Sequence, residues 1–209
     1  MNWQFISFFG DSTVLLPSAA LLLIVLLLRK PSQILAWQWG LLFAVTGAVV
    51  SVSKLAFMGW GLGIRDIDFT GFSGHSALSA AFWPVFLWLL AARLNSGIRM
   101  LFVILGYALA LLVAVSRLEI NAHSVSEVIA GVVLGSSASA LFLLFQKRFP
   151  HRGEVRLSWG AVASLVLIPA MLLHTGVKAP TQSMLGEIAV ALGPLDKPFT
   201  RADLHKRAW

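Results

Sequence analysis

Apolar residues run along this chain in long blocks rather than in short alternation. The blocks predict six helices, roughly Phe8–Leu28, Ile34–Met58, Ser76–Ala92, Ile98–Val115, Val125–Phe145 and Leu157–Leu173. Each comes near the ~20 residues that cross a hydrocarbon core, the third and sixth being the shortest. The pattern reads as an all-α bundle of six transmembrane helices filling residues 1–175. Residues 176–209 read as a separate C-terminal tail. Within it Ser183–Leu192 carries an apolar face of Met184, Leu185, Ile188 and Leu192, so a short interfacial helix is expected there, broken by Gly193-Pro194.

Composition agrees with a membrane chain. Of the 209 residues 58% are hydrophobic and 12% charged, against about a quarter charged in a soluble domain. There is no cysteine, which excludes a disulfide, a thiol nucleophile and a Cys-ligated metal site. In a soluble protein the net charge of +7 would suggest nucleic acid. Here the basic residues sit at helix ends, and the bilayer rather than nucleic acid is the expected partner.

Those basic residues predict the topology. Arg29 and Lys30 occupy the first loop, Arg93 and Arg99 flank the third, and Lys147, Arg148, Arg152 and Arg156 fill the fifth. Placing these loops in the cytoplasm puts both termini and the second and fourth loops outside. No Lys or Arg precedes the first block, so it reads as a spanning helix rather than a cleaved signal. The tail's own Lys178, Lys197, Arg201, Lys206 and Arg207 sit poorly outside, and a sixth segment that fails to cross would leave the tail cytoplasmic. The eight tryptophans are candidates for interfacial anchors.

Candidate chemistry gathers in the two outer loops. His123 and Glu127 are four residues apart, a spacing that stacks side chains on one helix face. A carboxylate beside an imidazole selects its tautomer and stabilises the charge it develops; the plainer role is a buried polar pair that fastens helices. Arg117 offers a fork of donors suited to phosphate oxygens, or else anchors the interface. Ser73-Gly74-His75 stands at the start of the third helix, where free N–H groups favour an anion and Ser73 either caps the helix or donates to phosphate. Lys54 lies near the outer end of the second helix and needs a counter-charge or a polar cavity. Arg65 follows in the loop, with Asp66 and Asp68 near enough to pair with it. The other histidines form no ligand cluster with one another, so no metal and no cofactor is called for.

At these residues the chain resembles the type 2 phosphatidic acid phosphatase (PAP2) superfamily, whose three motifs are K-x6-R-P, P-S-G-H and S-R-x5-H-x3-D. The third reads Ser116-Arg117-x5-His123-x3-Glu127 here, and the second Phe72-Ser73-Gly74-His75. Glu127 stands for the usual Asp and Phe72 for Pro. The first motif departs most: ten residues separate Lys54 from Arg65, and Asp66 follows where Pro is usual.

The resemblance implies a bacterial inner-membrane lipid phosphatase with its site facing the periplasm or exterior. It implies His123 as the nucleophile that forms a phosphohistidine, His75 as the general acid, and Glu127 as the group orienting His123. Lys54, Arg65, Ser73, Gly74 and Arg117 would bind the phosphate. Implied substrates are undecaprenyl diphosphate, phosphatidylglycerophosphate, phosphatidate and lipid A phosphates. A phosphotransferase would use the same residues, and a non-catalytic lipid-binding or transport protein on the same bundle is the alternative of a different class.

Overall fold

The computed structural model describes residues 2–148, 159–175 and 181–206. Regular structure among them is helical: α1 (Trp3–Phe8), α2 (Ser12–Leu27), α3 (Gln33–Trp60), α4 (Gly74–Leu90), α5 (Ser96–Glu119), α6 (Val125–Arg148), α7 (Trp159–Thr175), α8 (Thr181–Leu192) and α9 (Arg201–Lys206). No strand forms among the described residues beyond an isolated antiparallel bridge between Ile64 and Phe69.

The first expected helix, Phe8–Leu28, is α2, shorter at its start and preceded by the separate short helix α1. α1 and α2 meet at Phe9-Gly10-Asp11, and Asp11 caps α2 by accepting the Thr13 N–H at 2.8 Å. The break lies tight against α4 and α5: a Cβ on Gly10 would stand 2.4 Å from Val113 Cγ1 and 2.9 Å from Ser79 Oγ. α3 runs unbroken and stops at Gly61, whose φ of 67° is a left-handed conformation that glycine adopts without a Cβ penalty.

Among the described residues five segments are long and apolar enough to cross a bilayer: Trp3–Leu27, Lys30–Trp60, Gly74–Arg93, Ser96–Glu119 and Val125–Arg148. The expected sixth is not among them. α7 has 17 residues, or roughly 26 Å of helix against a core of about 30 Å. Its expected start at Leu157, the tail boundary at 176, and Arg152 and Arg156 lie outside the described residues. The chain nevertheless returns across the bundle. α6 ends at the far end from α2's start, whereas Thr181 Oγ1 lies 3.3 Å from Ser12 Oγ.

α4 is the central helix, packed by α2, α3, α5 and α6. Small residues allow the close approach. A Cβ on Gly135 of α6 would come 2.0 Å from the Ala77 carbonyl oxygen, and one on Gly106 of α5 would come 2.6 Å from Pro84 Cα. Outward positions such as Leu41, Ile104, Leu111 and Val133 are exposed leucines, isoleucines and valines, the surface a bilayer covers.

The main core fills the half of the bundle away from the α4 start, around Trp39, Phe82, Phe86 and Phe142. Not all tryptophans serve an interface. Trp39 and Trp83 are buried, and their indole N–H groups donate to the Ala81 and Phe9 carbonyls at 3.2 and 3.1 Å. A smaller cluster of Phe57, Met58, Ala189 and Leu204 joins the C-terminal segment to the end of α3. The tail is therefore docked on the bundle, at the end where α3 and α5 finish and α4 and α6 begin.

Candidate active site

Alternation of helix direction brings the starts of α2, α4 and α6 and the ends of α3 and α5 to one end of the bundle. A cavity of about 860 Å³ opens there, lined by Lys54, Gly74, His75, Arg117 and His123 among others. His75 from the first turn of α4 and His123 from the loop before α6 thus face one space.

His123 lies just before α6, and its Nδ1 is 2.6 Å from Oε2 of Glu127 in the first turn. Glu127 is fully buried, with relative exposure 0%. Its Oε1 accepts the Thr70 N–H at 2.8 Å and also the Thr70 hydroxyl. Its Oε2 further accepts from the Ser124 N–H at 3.3 Å and from Arg201 Nη2 at 2.8 Å. A carboxylate on Nδ1 puts the ring proton there and leaves the lone pair on Nε2. Burial pushes the His123 imidazole below its usual range; the Glu127 bond pulls it back, and Lys54 and Arg117 push it down again. Neutral imidazole with a free lone pair is the nucleophilic form.

His75 occupies the first turn of α4, and its Nε2 is 3.5 Å from Asp11 Oδ2. Lys54 Nζ donates to Gln182 Oε1 at 3.0 Å. Arg117 Nη1 donates to Ser7 Oγ at 2.5 Å, while its buried Nε has no partner among the described residues. Two expected residues stand elsewhere. Ser73 is fully buried outside the cavity lining; its Oγ accepts from Ser76 Oγ at 2.9 Å and makes no capping bond to α4. It links α4 to α6 instead, its N–H donating to the Glu127 carbonyl at 3.1 Å. Arg65 is exposed on the short 3-10 turn Arg65–Ile67 and does not line the cavity.

A different guanidinium is present. Arg201, at the start of α9, lines the cavity and pairs with Glu127 and, through Nη1 at 2.5 Å, with Asp68. His205 Nε2 lies 2.8 Å from the other Asp68 oxygen. Asp11, Thr70, Gln182 and Arg201 were not legible as site residues. Asp11 left one trace: it is the sole charged residue inside the first apolar block.

These features define a polytopic helical membrane protein whose cavity joins a carboxylate-held imidazole to a second imidazole and three cationic side chains. Residues 62–150 match the model of the PAP2 superfamily. The chain is 70% identical, over 209 residues and the whole of both chains, to the "Uncharacterized 22.5 kDa protein in cps region" of Klebsiella pneumoniae. No solved structure matches it. Lys54, Asp11 and Arg201 all lie outside the matched range.

Proposed function

We propose that this protein is an integral membrane lipid phosphatase that hydrolyses a phosphate or diphosphate monoester of a lipid through a phosphohistidine on His123. The observation that carries the reading is the His123–Glu127 pair at 2.6 Å, opening into the cavity that Lys54, His75 and Arg117 also line. The unpartnered buried Nε of Arg117 supports it, because a buried donor without an acceptor is costly and a phosphate oxygen would satisfy it.

The phosphoryl oxygens lie among Lys54, Arg117 and the Gly74 backbone at the α4 start. The Nε2 lone pair of His123 attacks phosphorus in line, the ester P–O bond breaks, and His75 delivers a proton to the departing oxygen. Water then loses a proton to His75 and attacks the phosphohistidine. The P–N bond breaks, and phosphate leaves with His123 neutral again. Charge stabilisation by fixed donors is the largest contribution, about 3–4 kcal/mol for each key donor.

The cavity favours a lipid. From Lys54 it continues along α3 past Val50 and Gly47 to Phe43, beside Leu16 and Leu78, an apolar path of about 16 Å along the helix axis. A phosphate head stays at the water boundary while its chain follows that path. The basic ends Arg29, Lys30, Arg93, Arg99, Lys147 and Arg148 lie at the opposite end of the bundle, so the site faces the periplasm or exterior with α7 as the sixth crossing. A phosphotransferase would differ only in the acceptor.

The test is phosphate release from a panel of lipid phosphates and diphosphates by purified wild type and His123→Ala. Wild-type release that His123→Ala abolishes, with a base-stable, acid-labile 32P label on His123, is the expected result. Label on another residue overturns the assignment of the nucleophile, and lipid movement that survives in His123→Ala supports the transport alternative.

A further inference from the structure

We propose that Arg201, delivered by the C-terminal segment, is a positioning residue that keeps His123 neutral and nucleophilic by neutralising Glu127. This rests on the phosphatase reading above and adds to it a residue outside the family's matched range.

The argument starts from Glu127. A fully buried carboxylate needs a full counter-charge as well as hydrogen bonds. Thr70 and the Ser124 N–H supply neutral donors. Among the described residues only two groups that can carry positive charge contact the carboxylate, His123 at 2.6 Å and Arg201 at 2.8 Å, and both engage Oε2. They compete to balance one charge. With Arg201 seated, the ion pair is complete and His123 has no need of a second proton. With Arg201 removed, the buried charge is balanced most readily by protonating His123 at Nε2, which takes away the lone pair that attacks phosphorus.

Arg201 is placed for this by its own anchor. Asp68, held at the loop tip, takes Nη1 at 2.5 Å and is itself contacted by His205 at 2.8 Å. The tail is fastened independently of Arg201: the Phe199 N–H donates to the Met58 carbonyl at 2.8 Å, and Ala189 and Leu204 pack on Phe57 and Met58. Removing the guanidinium therefore leaves the segment docked.

Lys54 from α3 and Arg117 from α5 also act on the His123 imidazole; His75 from α4 and, beside it, Asp11 from the α2 start share the cavity, and Asp68 from the loop faces Arg201 and His205. Lys54 and Arg117 act in the same direction as Arg201 but make no ion pair with Glu127. Their effect stays constant when Arg201 is changed, so the change is read against a fixed background.

The experiment compares the pH–rate profiles of wild type, Arg201→Gln and Arg201→Lys with a lipid phosphate the wild type hydrolyses. Expected for Arg201→Gln is an acidic limb moved to higher pH by about one unit, hence about tenfold lower kcat below that limb, with recovery toward wild type in alkali. Arg201→Lys keeps the charge and moves the limb less. Loss that is equal at every pH and equal for both variants would mean that Arg201 only braces the tail, and overturns the proposal. So would wild-type rates in Arg201→Gln. A wild type that releases no phosphate from any lipid overturns the underlying phosphatase reading and this proposal with it; a hydrolysing wild type with an indifferent Arg201 overturns this proposal alone.

Discussion

The Nε2 of His75 stands 3.5 Å from the carboxylate of Asp11, which gives the cavity a second imidazole–carboxylate pair beside that of His123 and Glu127. The two pairs are built differently. Glu127 is buried and reached by His123 from the loop just before its own helix; Asp11 comes from the start of α2 and spends its other oxygen on capping, through the Thr13 N–H at 2.8 Å and hydroxyl at 2.7 Å. An acid that gives a proton and takes it back is served by a carboxylate near the ring.

Asp11→Asn tests that role. Asparagine caps helices as well as aspartate, so α2 keeps its N-terminus. The expected loss is smaller than for His75→Ala, where removal of the general acid costs about 10²–10⁴-fold in kcat. The loss is also expected to depend on the leaving group. It should be pronounced for a lipid alkoxide and slight for p-nitrophenyl phosphate, whose phenolate leaves without a proton. Equal loss with both substrates would place Asp11 in phosphate binding instead.

Burial holds the His123 imidazole below its ordinary value of 6.5, with Lys54 and Arg117 adding to the shift against the pull of Glu127. The sign follows directly. The fold favours the neutral ring, so this contribution to stability is complete above the unfolded-state value and is lost as pH falls through the folded one. Two outcomes are expected. The acidic limb of kcat/KM lies below pH 6.5, and lowering the pH from 7 to 5 reduces the thermal midpoint of wild type more than that of His123→Ala. A limb above the ordinary imidazole value would contradict the burial argument.

Local spacing carried much of what could be read from the chain. His123 and Glu127 are four residues apart, and Gly74-His75 begins a helix, so each pair's geometry is set by a single turn. Lys54 was placed by its depth in α3, and it does line the cavity. What stayed illegible is tertiary. Arg201 reaches Glu127 across 74 positions of sequence, past α6 and α7, and no local pattern distinguishes it from the other tail cations. Thr70 meets Glu127 across 57 positions because the loop after α3 folds over the α6 start. The break at Gly10 was hidden because hydropathy continues through it, while the cause is packing against Val113 and Ser79. Trp39 and Trp83 look like interfacial anchors by residue type, yet both have core carbonyls to bond.

The α4–α6 contact is expected to be the most sensitive to added bulk. A Cβ on Gly135 would lie 2.0 Å from the Ala77 carbonyl oxygen, a backbone atom that no rotamer change moves away. Gly135→Val must therefore separate the helices, at a cost of about 1–3 kcal/mol from overpacking. Because α4 carries His75 and α6 carries Glu127, kcat should fall along with the thermal midpoint. Gly160→Val, where nothing among the described residues lies within 4 Å of an added Cβ, is the matched control and should leave both unchanged.

The apolar path beside α3 gives a test of chain length that leaves the chemistry alone. A Cβ on Gly47 would meet only Leu78 Cδ2, at 4.0 Å, so a large side chain there enters the cavity without displacing a helix. Gly47 is seven residues below Lys54, about 10 Å along the helix, too far to touch a bound phosphate. Gly47→Phe should leave kcat and KM for a short soluble phosphate ester unchanged. For a long-chain lipid phosphate it should raise KM or abolish turnover, since the chain has lost its path. Equal effects on both substrates would mean that the cavity is filled by the head group alone. No effect on either would place the lipid chain outside the bundle, against the exposed leucines and isoleucines of the helix surfaces.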